Sequence, residues 1–525
     1  MQNPFFRFNF LLFSIMLCGN TAFSQSTVKA GGKKINVRNA DELKFDGSVP
    51  DAQRLIGNVE FEHEGTLMYC DSAYFYDVGN RMEAFSNIRI IGDSVTVTGN
   101  RLNYDGSTRL ADIIGNVSMV DPTTILTTDR LQYDLAKKLA SYSTGGKIVS
   151  RKNKNELTSM FGQYNSNTKL FYFRKNVKLV NPDYVMICDT LQYNTSSETA
   201  YFFGPTTITS KENIIYCENG YYNTETDISQ FEKNAKITSK GQDITADQIW
   251  YDRKSGLGKA RKKVAIRDSA EKIILRGNYA DYFEKTDRIL ITDSALMVKE
   301  FGKDTLFLHG DTLRSVTDTS VDKRTLYAFH HVKFFKNDFQ GKCDSLVYTE
   351  PDSMMRLFGR PVLWNNENQL TGDTVYLQLA NNEIETLYLR NAAFIVSEED
   401  TMRFNQIKGK NITGHFTESE LRKINVKGNG QSIYYSKDEK NEYIGVNKAD
   451  CTDMVIYIDS SEVQKITFIT KPVATLYPVN ELPKEELKLV GFKWFEELRP
   501  IDRYDLFRWK EIVVTEPEKR KRIKN

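Results

Sequence analysis

Apolar and polar residues alternate along most of this chain in short runs, and turn residues separate the runs. The stretch from Gly115 to Asp134, GNVSMVDPTTILTTDRLQYD, shows the pattern most plainly. Val117 and Met119 alternate with polar neighbours, as do Leu131 and Tyr133. Such alternation places the apolar residues of a strand on one face. The stretch therefore predicts two strands joined by a turn, and close copies of it recur through nearly the whole chain.

The aromatic that ends Asp-x-Leu-x-Tyr serves as a register mark. It falls at Phe75, Tyr104, Tyr133, Tyr164, Tyr193, Tyr222, Tyr251 and Tyr282, in steps of 29 or 31 residues. A second mark, the apolar residue after a Gly-Asn-like pair, falls at Val59, Ile88, Val117, Ile148, Val177, Ala235, Val264, Ala295 and Val332. The repeat around Pro205 and Ile208 fits least well. Near-equal steps of this length mark a repeat architecture, in which each unit has one apolar face and buries it by stacking on its neighbours. The expected fold is all-β: an elongated solenoid or jellyroll of about a dozen two-strand units of ~29 residues. Beyond residue 300 the step lengthens. Leu387-x-Leu389, Ile424-x-Val426 and Ile466-x-Phe468 still read as strands, at spacings of 37 and 42. After Pro478 the period changes, and Leu487, Val490, Trp494 and Leu498 predict a short helix over 485–498, stopped by Pro500.

Both ends carry further signals. Arg7, the apolar run Phe8 to Leu17 and Ala22-Phe23-Ser24 read as an export signal cleaved near Ser24–Gln25, with a retained anchor as the second reading. Leu17 before Cys18 argues against lipidation. The resulting division is 1–24 signal peptide, 25–300 regular repeats, 301–478 repeats of irregular pitch and 479–525 helical segment with a basic tail. The cluster Lys519, Arg520, Lys521, Arg522 and Lys524 reads first as a solvated terminus and second as a contact for anionic head groups.

Composition adds exclusions. The chain has 525 residues and a net charge of +2, so charge implies no nucleic acid or other polyanion as partner. After cleavage five cysteines remain: Cys70, Cys188, Cys217, Cys343 and Cys451. Four of them lie five residues before a register mark, where other units hold Gly99, Thr128, Ser159, Ala246 and Gly277. This is a slot for small residues, and the cysteines are expected to be reduced, buried and without catalytic role. A second slot is acidic: Asp71, Asp129, Asp189, Glu218, Asp247, Asp311, Asp344 and Asp373, with Asn100 and Asn278 as variants. One carboxylate per turn suits turn capping better than calcium, which needs a dense oxygen cage. Adjacent His330 and His331 should point to opposite faces of a strand and form no ligand set. No nucleophile elbow, zinc motif or phosphate loop is present. No catalytic residue, metal or cofactor is expected, and an enzyme is disfavoured.

The export signal followed by units such as Gly115-Asn116-Val117 and Thr127-Thr128-Asp129-Arg130-Leu131-Gln132-Tyr133-Asp134 resembles the OstA family, most clearly over residues 40–300. It is similar in length to the long OstA-like proteins of Bacteroidetes-type envelopes. The resemblance implies an open β-jellyroll that works without catalysis in the periplasm, near the outer membrane. It implies lipopolysaccharide as cargo, an inner-membrane ATPase as energy source, and as partners other lipopolysaccharide-transport proteins, joined by edge-strand pairing, and the outer-membrane translocon. On that reading a lipid groove is lined by Val59, Phe61, Ile88, Ile90, Val117, Met119, Leu131, Tyr133, Val177, Leu179, Leu191 and Tyr193. Alternation alone does not separate a lipid trough from a filled core, so the alternative is a structural envelope solenoid with a closed interior.

Overall fold

The structure, a computed structural model, describes residues 34–511 apart from 46, 48, 93–94, 123, 152–154, 166, 212, 240, 302–303, 319, 321–322, 381–382, 419, 441, 460–461, 480 and 484. The export signal and the basic tail lie outside the described residues. Among the described residues there are 36 β-strands and three short 3-10 turns. No helix in this region is long and apolar enough to cross a membrane. The chain divides into two compact units, residues 2–260 and 261–525. The division falls inside the strand Leu257–Asp268, earlier than the change of pitch near residue 300.

In the first unit successive strands of about the same length pair antiparallel as a meander: Gln53–His63, Thr66–Tyr76, Arg81–Ile91, Thr96–Asp105, Leu110–Val120 and Thr124–Asp134. Alternate strands carry a bulge. In Leu110–Val120 the ladder runs to Ile114↔Arg130 and resumes at Val117↔Thr128, so Gly115 and Asn116 face Asp129 alone. Both bulge residues are left-handed, with φ of 81° for Gly115 and 48° for Asn116. A glycine meets that requirement without steric cost, and asparagine tolerates it better than most side chains.

Left-handed pairs recur at Gly57-Asn58, Ser86-Asn87, Lys175-Asn176, Lys233-Asn234 and Lys262-Lys263, each directly before the apolar mark of its repeat. The Gly-Asn signature is therefore the corner of the repeat. A bulge bends its strand, and each bent strand presents two arms whose inner faces meet in one cluster. Val117 from one arm and Leu131 from the other belong to the same core, with Leu55, Phe61, Met82 and Ile113. At one level the strand is fully interrupted: Leu139–Tyr142 and Gly146–Ser150 are two separate strands, both paired to Thr124–Asp134. The irregular repeat keeps the same plan. Gly204 is left-handed at the corner, and Thr206 takes the place of the usual Val opposite Cys217. Its buried hydroxyl donates to the Gly204 carbonyl at 2.9 Å.

The second unit uses longer strands, up to the 18 residues of Glu420–Lys437. Longer arms account for the steps of 37 and 42, while the left-handed corners persist at His330-His331, Asn391-Ala392 and Thr470-Lys471.

The helix expected over 485–498 does not form. Only Glu496–Leu498 makes a 3-10 turn, and the remainder of the segment is irregular. Val490, placed on the apolar helical face, is 84% exposed, whereas Leu489, one residue earlier, is buried. Tertiary contacts override the helical period here. The segment lies as a strap on the outer face of one arm, where its backbone groups bond partly to side chains of that arm and partly to each other in short turns, such as Glu486 N–H to the Pro483 carbonyl and Phe492 N–H to the Leu489 carbonyl, both at 2.9 Å.

Candidate functional site: the inner face and its strap

The twelve positions expected to line a groove all lie on the inner face of the first unit. Nine of them, Val59, Phe61, Ile88, Val117, Leu131, Val177, Leu179, Leu191 and Tyr193, are at most 2% exposed. Ile90, Met119 and Tyr133 are half-buried and pack against the same cluster. The half-buried members sit near the free ends of the arms, away from the corner. At that edge His63 on one arm and Tyr104 on the other are joined, His63 Nδ1 lying 2.6 Å from the Tyr104 hydroxyl. Their rings meet edge-on at 5.6 Å.

The small-residue slot lies at the apex, where the two arms converge. Cys70 is paired with Val59, Gly99 with Ile88, Thr128 with Val117, Cys188 with Val177 and Ala246 with Ala235. A Cβ on Gly99 would come within 2.5 Å of Ile113 Cγ2, which is why large residues are absent. The five cysteines are free and buried. Loss of solvation pushes the thiols of Cys70, Cys188 and Cys217 up to about 12, so they are protonated and poor nucleophiles.

The acidic slot does cap the corner, from the middle of a strand at Asp71 and Glu218 and from directly ahead of one at Asp311. Asn87 donates to Asp71 at 2.7 Å and Asn234 to Glu218 at 2.8 Å, and Asp41, which lies outside the slot in the bend ahead of Glu42–Phe45, accepts from Asn58 in the same way at 2.9 Å. Each carboxylate faces the bulge of the adjoining strand, where ladder pairing is missing. No group of acids, histidines or cysteines able to hold a metal occurs among the described residues. His330 and His331 do not point to opposite faces. Both are left-handed corner residues, where strand alternation fails. His331 Nδ1 lies 2.8 Å from Asp311, and His330 Nδ1 lies 3.4 Å from Asp344.

Residues 32–189 and 185–247 match the family model described as OstA-like protein. This part of the chain is similar to OstA-like proteins. The match covers the corner pairs from Gly57-Asn58 to Lys233-Asn234, and it ends within the first unit. No curated protein matches the chain. A solved structure, LptH of Pseudomonas aeruginosa, described as the LptA homologous periplasmic component of the conserved lipopolysaccharide transport device, is similar over 19% of this chain and 76% of its own. The identity is 14% and the TM-score 0.18.

The strap lies in the second unit, beyond the OstA-like match, and its anchors were not foreseen from the sequence. Gln369 donates from Nε2 to the Lys493 carbonyl at 2.8 Å and accepts from the Phe495 N–H at 2.7 Å. Gln406 treats Leu487 and Leu489 the same way, at 2.8 and 2.9 Å. Each side-chain amide thus pairs residues i and i+2 of the strap as a neighbouring strand would. Leu489 packs on Phe394, Val396, Ile433, Tyr435 and Val446. Leu498 packs on Val362 and Trp364.

Two lysines hold the far end. Lys333, 1% exposed, donates to the Asp505 carbonyl at 3.1 Å and to the Arg508 carbonyl at 2.6 Å, and it pairs with the Asp505 carboxylate. Lys342 donates to the Lys510 carbonyl, and its ammonium sits 3.7 Å over the Trp509 ring. Burial, and then the charge of Lys333, push the Lys342 ammonium down to about 8. The signal available in the sequence was continuous apolar runs, Val362-Leu363-Trp364 and Ala393-Phe394-Ile395-Val396. Such runs mark strands covered on both faces.

Proposed function

We propose that this protein is a non-enzymatic periplasmic bridge that carries lipopolysaccharide along its apolar inner face toward the outer membrane. The observation that carries the reading is the apolar inner face of the first unit: its repeats bury aliphatic or aromatic residues from both arms, and over residues 35–140 these form one cluster. Acyl chains need such a continuous apolar path, and carriage along it breaks no covalent bond. The arms meet at the corner, and the ladder bonds run within each arm. Parting them for acyl chains disrupts side-chain packing and edge ties such as His63–Tyr104 while leaving the ladders intact.

The remaining parts of the reading follow from it. Residues 1–24 direct export and are cleaved near Ser24–Gln25. The exposed terminal strands, Asn36–Asn39 with Glu42–Phe45 in the first unit and Val473–Tyr477 in the second, pair with other lipopolysaccharide-transport proteins and the outer-membrane translocon.

Photo-crosslinking residues placed at Val117, Leu131 and Val177 test the cargo in cells. Adducts with lipopolysaccharide at these inner positions, and none at the exposed control Leu110, are expected. Silence at all three supports the second reading, an envelope scaffold with a closed core. The near-complete burial of nine of the twelve inner positions favours that alternative.

A further inference from the structure

The outer face of the first unit changes character part-way along. In the early repeats one outer row runs through Glu83, Asn103, Asp112 and Gln132 on neighbouring strands. Arg101 and Arg130 pair with its two acids at 3.3 and 2.7 Å. The register carries the same row through Ser141 and Gln163 to Tyr172. From there six consecutive strands set Tyr172, Gln192, Tyr201, Tyr221, Gln230 and Trp250 opposite one another. Their chain neighbours Phe173, Leu191, Phe202, Tyr222, Phe231 and Ile249 are buried, so alternation turns all six outward. Tyr201 is exposed and the other five are half-buried.

No member of this stretch is charged, and its rings are open. Tyr74, in an early repeat, has the Arg54 guanidinium 5.8 Å from its ring centre, and Tyr327 of the second unit has that of Arg314 at 4.8 Å. Among the described residues no cation stands over Tyr172, Tyr201 or Tyr221. The ring centres of Tyr201 and Tyr221 lie 6.0 Å apart. The side-chain amides of Gln192, in the row, and Gln248, beside it, have no hydrogen-bond partner among the described residues. Lys259 closes the row, its ammonium 5.4 Å from the Trp250 ring centre. The steps from Tyr172 to Tyr201 and from Tyr221 to Trp250 each cross two strand spacings, about 9.6 Å, and the whole row spans about 24 Å.

We propose that this row binds an extended β-1,4-linked glycan of N-acetylated sugars, lying across the strands. A sugar ring shows C–H groups on its faces and polar groups at its rim. Aromatic side chains pack on the faces, and amides bond to the rim. In a β-1,4 chain every second sugar turns the same way, so equivalent faces recur at about the distance between rings two strands apart. Such a ribbon follows a straight row, whereas an α-1,4 chain coils away from it. Each acetamido group offers one donor and one acceptor, the complement of a glutamine amide that has no partner of its own. With no charge in the row, binding breaks no ion pair and desolvates no ion. Rings anchored on paired strands also lose little freedom when the ligand arrives. The inference is independent of the cargo, because none of these residues lies on the inner face.

Isothermal titration calorimetry of the full chain with chitohexaose tests it, with maltohexaose and chitobiose for comparison. Chitohexaose should bind about tenfold or more tightly than either, since maltohexaose coils and chitobiose reaches only one ring step. Tyr201→Ala/Tyr221→Ala should weaken chitohexaose binding about tenfold or more, with unchanged circular dichroism, and Tyr327→Ala should leave it unaltered. Gln192→Ala/Gln248→Ala, which leaves the rings and the core in place, should weaken it several-fold and keeps the test readable if the tyrosine variant loses its fold. Absence of binding at millimolar chitohexaose overturns the proposal. Equal affinity for maltohexaose, or parental affinity in a folded double variant, overturns it as well.

Discussion

At the scale of single residues, the repeat is written in two small features at the corner: a left-handed pair and a small side chain beneath it. The pair explains Gly-Asn, and the convergence of the arms explains why Cys, Gly, Ala, Ser and Thr exchange freely in the slot. Cys217 is wholly buried there, opposite Thr206. Replacing it with leucine should overpack the apex and cost about 1–3 kcal/mol, read from urea denaturation, while Cys217→Ala should cost less. A leucine variant as stable as the parent would mean that the apex has room to spare. The inner and outer faces were legible from alternation, and the slot was legible from its register. The acid–asparagine bonds were not. Asp71 and Asn87 lie 16 residues apart, and only strand pairing brings the carboxylate opposite the bulge.

The strap shows how an element can contradict its own period. Spacings of 3 and 4 between Leu487, Val490, Trp494 and Leu498 suggest a helix, yet the side-chain amides of Gln369 and Gln406 and the apolar outer face of the arm draw the segment into an irregular path broken by short turns. Replacing both glutamines with leucine should release the Leu489 and Phe495 amides, raising their hydrogen-exchange rates by about tenfold or more. Unchanged protection would show that the apolar contacts hold the strap alone.

A pH effect belongs to the same element. Lys342 gives up its proton near pH 8 in the folded protein, whereas an unfolded lysine holds it to about 10.5. Between those values the unfolded chain binds more protons, so stability should rise with pH. The stability of the parent relative to Lys342→Met should therefore increase from pH 7.5 to pH 10 in urea titrations. A flat or falling difference would refute the depressed ammonium.

For the whole molecule, what matters is that each unit is built by repetition. In the first unit the repeat is a strand pair with its corner, and neighbouring repeats touch mainly each other. Excising residues 89–117 joins Ile88 to Ser118 and leaves a complete corner in register. That 29-residue deletion should fold cooperatively, whereas removing one residue fewer should invert the inner and outer faces of the following strand and unfold it. Thermal denaturation followed by circular dichroism distinguishes the two, and equal behaviour would disprove the register.

By itself the sequence determined the all-β class, the repeat length, the inner-face residues and the OstA-like character of its first half. These are properties of periodicity, and periodicity is local. Only the tertiary structure decided that the mid-strand acids cap bulges, that His330 and His331 share a corner, and that the last segment is a strap rather than a helix. Each of these depends on which strands become neighbours, and a hydrogen bond between side chains that far apart in the chain leaves no period to read.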